Sequence, residues 1–195
     1  MSNIIKISRI PEEYAVVLAT LVLDKYYNNT NTQNIDVYKI LKLFGFKLLV
    51  SEDTAYDDTV AFLSINNCYK YIYGCKEVIS INPKFSEKQI RYALINLLGK
   101  YFINYSNQNS YRIECKTKEQ NTCENALSDI FTLNILMPRE QFINKYNEFK
   151  TYRGMDRIEK LKQYFNVSHS QIQRYIHNLG LNKKEKVKVL EFKKI

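Results

Sequence analysis

Apolar and polar positions alternate along this chain with two periods, and the strongest run is helical. Within residues 86–102, Ile90, Leu94, Leu97, Leu98 and Tyr101 fall on one face at helical spacing, with Ala93 and Phe102 flanking. Ser86 is placed to cap this helix, and Glu87 suits the positive end of its dipole. Residues 11–28 predict another helix: Pro11 in the first turn, then Glu12 and Glu13, then an apolar stripe of Tyr14, Val17, Leu18, Leu21 and Val22. A polar loop over residues 28–34 follows. Asp36 is placed to cap a short helix with Val37, Ile40, Leu41 and Phe44 inward, closed by Gly45. Residues 46–50 then read as a strand.

Alternation takes over in the next stretch. Residues 51–58 are acidic and loop-like, while residues 60–65 and 69–73 suggest a hairpin turning at Asn66 and Asn67. Another strand is expected over residues 78–82. Residues 104–121 carry few apolar anchors and read as a mobile loop. Helical spacing returns over residues 122–138 and again in two short helices over residues 156–181, which look like a helix–turn–helix. There Asp156 with Glu159 suggests a capped first helix, with Ile158, Leu161 and Phe165 inward. Ser168 caps the second, with Val167 just outside it and Ile172 and Ile176 buried. The fold class is therefore α+β: a helical domain with a small β-sheet over residues 1–150, then a helix–turn–helix-like unit with a basic tail over residues 151–195.

Composition narrows the class. The 195 residues are 45% hydrophobic and 25% charged, which is ordinary for a soluble globular protein. No apolar run reaches the roughly 18 residues that a membrane span needs. The first residues lack the apolar core and cleavage site of a secretory signal, so a cytoplasmic location is expected. The cysteines, Cys68 and Cys75 with six residues between them and Cys115 and Cys123 with seven, are spaced more widely than the usual zinc knuckle of about two to four. Reduced thiols are expected, and no cofactor.

The net charge of +9 is uneven. Residues 139–195 hold 14 Lys and Arg against 6 Asp and Glu, whereas residues 1–138 hold 15 against 14. A basic segment on a neutral body is the footprint of a polyanion partner, or else a solvated lysine-rich surface. His169, Ser170, Gln173, Arg174 and His177 on the last helix, with Lys183, Lys184 and Lys186 beyond it, are the candidate nucleic-acid contacts.

Residues 91–101, RYALINLLGKY, resemble the central helix of the ImmA/IrrE family of zinc metallopeptidases, which reads RFTLAHELGHY. The frame matches at Arg91, Leu94, Leu98, Gly99 and Tyr101. The chemistry does not: the two metal-binding histidines fall on Asn96 and Lys100, and the catalytic glutamate on Leu97. In H-E-x-x-H, two histidines at i and i+4 hold zinc while the glutamate deprotonates the bound water. Residues 122–138 resemble a second family phrase, E-x-E-A-N-x-F-A-x-x-L-L-M-P. The glutamates able to supply a third ligand fall on Asn125 and Leu127, Glu124 is one residue out of register, and Asp129 stands for the asparagine. Residues 156–181 resemble a third phrase, with Arg174 one place ahead of the family's arginine. In the family, a strand ending I-x-I-N runs along the substrate cleft. Ile79, Ser80, Ile81 and Asn82 stand in that place, either as a sheet edge for an extended peptide or as a buried central strand.

The resemblance implies the family's framework with the reaction removed. His169 and His177, the only histidines, lie far along the chain from Asn96. A cysteine hydrolase on Cys115 or Cys123 has no readable activating group, and the five glycines form no phosphate-cradling loop. Two functions stay open. The first is a non-catalytic relative, of a mobile element or phage, that binds a protein partner such as a helix–turn–helix repressor or antitoxin. The second is a DNA-binding regulator.

Overall fold

The structure is a computed structural model that describes residues 12–28, 35–51, 58–105, 110–117, 123–152 and 154–181. In chain order its elements are α1 (Glu12–Asn28), α2 (Val37–Leu43), β1 (Lys47–Val50), β2 (Thr59–Asn66), α3 (Tyr69–Tyr73), β3 (Glu77–Ile81), α4 (Glu87–Lys100), β4 (Ser110–Lys116), α5 (Cys123–Leu136), α6 (Arg139–Glu148), α7 (Met155–Phe165) and α8 (His169–Asn178). The architecture is α+β, as the sequence pattern predicts. No helix among the described residues is long and apolar enough to cross a membrane.

The local signals explain several boundaries. Asp36 accepts the backbone N–H groups of Tyr38 and Lys39 and so caps α2, and Gly45 with φ of 79° turns the chain into β1. The Gln89 side chain returns to the Ser86 backbone N–H at 3.1 Å and closes the start of α4. Past Lys100 the helix widens into a π-type turn over Tyr101–Tyr105. The expected Asp156 cap is replaced: Gly154 precedes the first residue of α7, with φ of 50°, and Asp156 sits in the first turn.

The sheet has four strands in the order β1-β3-β2-β4, with β1 parallel to β3 and the other pairs antiparallel. The structure departs from two readings and decides a third that left two alternatives open. First, residues 69–73 form a helical turn rather than a strand. The Asn66 side chain accepts the Cys68 N–H, and Gly74 in the left-handed region ends the turn. Tyr-Lys-Tyr-Ile-Tyr has the alternation of a strand but finds no face to bury, and Tyr71 stays 93% exposed. Second, part of the expected loop over residues 104–121 is β4, whose Ile113 and Cys115 turn inward while Arg112 and Glu114 turn outward. Third, Ile79, Ser80, Ile81 and Asn82 are not at an edge. β3 is paired on both sides, and the Asn82 side chain is used internally, donating to the Thr59 carbonyl at 3.2 Å and accepting the Lys84 N–H at 3.1 Å. β1 and β4 are the outer strands.

α4 crosses the middle of the molecule and is buried on every face from Ala93 to Lys100. α5 packs beside it and α1 packs on α5. α1 buries Ala15, Ala19, Val22 and Tyr26, whereas Tyr14, Val17 and Leu21 of the expected stripe are exposed. The two alanines carry no bulk between helix axes, so the small face, not the large one, meets α5. Leu161, Phe165, Val167, Ile172, Tyr175 and Ile176 join the same hydrophobic core as α4 and α5.

Candidate functional site

One face of α4 carries Tyr92, Asn96 and Lys100, four residues apart and therefore stacked along the helix. Each makes a polar contact with a neighbouring element. The Tyr92 hydroxyl donates to Asp129 Oδ1 on α5. Asn96 Nδ2 donates to Ser128 Oγ at 3.2 Å, and that hydroxyl donates in turn to the Asn125 carbonyl at 3.1 Å. Lys100 Nζ donates to the Glu114 backbone carbonyl of β4 at 3.1 Å. The reach of Lys100 follows from the ladder. Asn66 N–H bonds to the Lys76 carbonyl and Asn82 N–H to the Val60 carbonyl, so even-numbered residues of β2 face β3 and odd-numbered ones face β4. By the register of β2 with β4, Glu114 then turns its carbonyl away from β2, toward the amine.

These positions do not fit a zinc ion. Asn96 is 1% exposed and Lys100 4%, and Leu97 and Leu127 lie in the hydrophobic core. Zinc takes thiolate, imidazole or carboxylate donors. Here an amide is spent on Ser128, an amine points at a carbonyl, and two alkyl groups supply nothing. Asn96 Oδ1 has no hydrogen-bond partner among the described residues, but one amide oxygen is not a ligand set. No group of three or more His, Cys, Asp or Glu side chains able to hold a metal ion is present among the described residues.

A cleft of about 1030 Å³ opens one turn above Asn96. Tyr92, Asp129 and Asn125 form part of its wall, with Val17 of α1, Thr117 past the end of β4 and Arg174 of α8. Of the five positions that the resemblance places at the family's site, only Asn125 reaches it; Asn96, Leu97, Lys100 and Leu127 do not. Inside the cleft, Arg174 Nη1 lies 2.5 Å from Asp129 Oδ2, and its guanidinium carbon lies 5.9 Å from the centre of the Tyr92 ring. Asp129 thus receives a different partner on each oxygen. Burial first, and then the Asp129 carboxylate, hold the Tyr92 hydroxyl well above the ordinary tyrosine range.

The candidate nucleic-acid contacts divide. Ser170, Gln173 and His177 are exposed on α8, and His169 is half-buried. Arg174 is turned toward the body and paired with Asp129. Lys183, Lys184 and Lys186 lie outside the described residues. The Tyr92–Asp129–Arg174 group escapes sequence reasoning, because its members stand 37 and 45 residues apart along the chain.

A model of the family Peptidase_M78, described as the IrrE N-terminal-like domain, matches residues 51–177. Among solved structures, a Mycobacterium tuberculosis transcriptional regulator is similar at 12% identity with a TM-score of 0.48; the match covers 90% of this chain and 48% of that one. The chain thus spans about half the length of that neighbour. No curated protein matches the chain.

Proposed function

Because the chain belongs to the Peptidase_M78 family of IrrE N-terminal-like domains, we propose that it is a regulator that keeps the family's framework and holds a protein partner without cutting it. The observation that carries this reading is Lys100. It aligns with the second histidine of the family phrase, yet its amine is buried and committed to the Glu114 carbonyl. With Asn96 and Leu97 at the other two places of that phrase, none of these three side chains supplies the donors or the base that the phrase provides. The partner is a helix–turn–helix repressor or antitoxin, the setting a mobile element or phage, and the location the cytoplasm. Its seat is the cleft beside Tyr92 and Asp129, whose volume suits the side chains of a docked segment.

The test is metal content beside a proteolysis assay with a candidate repressor. The expected result is no stoichiometric zinc, an intact repressor and co-purification of the two proteins. One equivalent of zinc with cleavage overturns the reading.

A second reading, binding of duplex DNA through α8, is favoured by a separate observation. Ser170, Gln173 and His177 form an exposed polar face on a helix that carries no acidic residue. It lies in the third of the chain that holds the excess of positive charge. Loss of DNA affinity with rising salt is the expected signature.

A further inference from the structure

Arg174 is the one arginine on α8, and it pairs with an acid of the body. Its side chain is 48% exposed, so the guanidinium is accessible, but its strongest contact is the 2.5 Å ion pair with Asp129 on α5. Asp129 is 19% exposed and is itself held, because the Tyr92 hydroxyl occupies its other oxygen. The carboxylate is therefore a fixed acceptor that does not follow Arg174 if the guanidinium swings outward. Arg174 meets Asp129 through Nη1 and Oδ2 alone, and a phosphate oxygen competes with the carboxylate for the same charge-assisted contact.

We propose that Asp129 is an internal stand-in for a DNA phosphate, holding Arg174 against α5 so that the duplex-binding face of α8 is self-inhibited. The inference rests on the second reading above. Three groups act together. Tyr92 fixes the carboxylate, Asp129 competes for the guanidinium, and Arg174 turns its full set of donors to a phosphate on leaving the body. The second attachment of the same helix, Tyr175 hydroxyl to Asn134 Oδ1 at 2.9 Å, is buried and stays in place during this exchange. The switch is thus one side chain, not the whole helix.

The experiment is a double-mutant cycle on the full chain, read by fluorescence anisotropy with a short mixed-sequence duplex across salt. Asp129→Asn keeps the shape and still accepts the Tyr92 hydroxyl, but gives up the charge that holds Arg174. It is expected to bind the duplex about tenfold more tightly than wild type, the scale of one charge-assisted hydrogen bond. The slope of log affinity against log salt is expected to steepen by about 0.9, one added phosphate contact. Adding Arg174→Gln to the Asp129→Asn background is expected to erase the whole gain, and Arg174→Gln alone completes the cycle. Glu140→Gln, on the exposed start of α6, controls for the same change in net charge. If Asp129→Asn melts early by circular dichroism, Asp129→Ser replaces it in the same cycle. The proposal is overturned if the gain survives Arg174→Gln, or if Glu140→Gln matches it, while wild type still binds with a salt-dependent affinity. Absence of duplex binding by every variant overturns the second reading along with it.

Discussion

Gly99 of α4 lies against the ring of Phe131 on α5, so closely that a β-carbon at Gly99 would meet Phe131 Cδ1 at 2.8 Å and Cγ at 3.2 Å. Phe131 is fully buried in the hydrophobic core, so its ring moves aside only by displacing its neighbours. Gly99→Ala is expected to destabilise the protein by about 1–3 kcal/mol despite the better helix propensity of alanine, because overpacking at a helix crossing forces backbone shifts. Urea unfolding followed by circular dichroism measures this. An unchanged or higher midpoint would show that α4 and α5 are not in this contact.

The helix–turn–helix-like unit depends on its own local signal. The Gln171 side chain accepts the Ser168 N–H at 2.7 Å, and Ser168 Oγ accepts the Gln171 N–H at 3.3 Å, a reciprocal capping box. Ser168→Ala removes one acceptor for an orphan N–H and is expected to cost about 0.5–2 kcal/mol. Ser168→Asp, which keeps an acceptor and adds a charge favourable to the dipole, is expected to recover most of that loss. Thermal melts of the three proteins decide it, and a Ser168→Asp variant no better than Ser168→Ala would contradict the capping role.

Such local signals are what made parts of the fold legible. Asp36, Gly45, Ser86 and Ser168 act within a few residues of themselves, and the elements they bound lie where periodicity places them. The misreadings arise where a neighbour distant in sequence decides. The large residues Tyr14, Val17 and Leu21 predict the buried face of α1, but α5 approaches so near that Ala15 and Ala19 take it. β4 is hidden by its charged residues, since only Ile113 and Cys115 face inward. Residues 69–73 carry strand-like alternation but have no sheet to join. In the candidate site, Asn96, Leu97 and Lys100 are visible as letters. That Lys100 reaches a carbonyl on β4, and that Arg174 meets Asp129, depends on tertiary packing and left no local trace.

Three buried or half-buried tyrosines are expected to weaken the fold at alkaline pH. Burial, followed by the hydrogen bond to the Glu77 carboxylate at 3.0 Å, pushes Tyr101 up to about 12. Tyr92 is raised by burial and Asp129, and Tyr175 by burial, with the Arg139 charge opposing. In the unfolded chain all three titrate near 10. Below that pH both states are protonated and the stabilisation is complete. Between about 10 and 12 the unfolded state loses protons that the folded state keeps, so stability falls as pH rises. Urea midpoints should therefore be level with respect to these groups below about pH 10 and decline above it. The absorbance of tyrosinate should lag behind that of the denatured chain until unfolding releases it. Free titration of all tyrosines near pH 10 in the folded protein would contradict this packing.

Lys100 separates a strut from a remnant. Its amine is buried and answers the outward carbonyl of Glu114, and with 4% of the residue exposed its methylene stem is buried as well. Lys100→Met keeps the length of the stem and deletes the amine. It leaves the Glu114 carbonyl short of one donor, a loss of about 1–3 kcal/mol, but it also removes the cost of holding an amine away from water. The two effects oppose each other, and a net change within about 1 kcal/mol is expected. Lys100→Ala keeps neither amine nor stem and adds a cavity, so it is expected to fall roughly 2 kcal/mol below Lys100→Met. The difference between the two variants, read by urea unfolding, reports the filled volume. The difference between wild type and Lys100→Met reports the amine alone. If Lys100→Met costs as much as Lys100→Ala, the hydrogen bond to Glu114, not the packing of the stem, is what joins α4 to the outer strand.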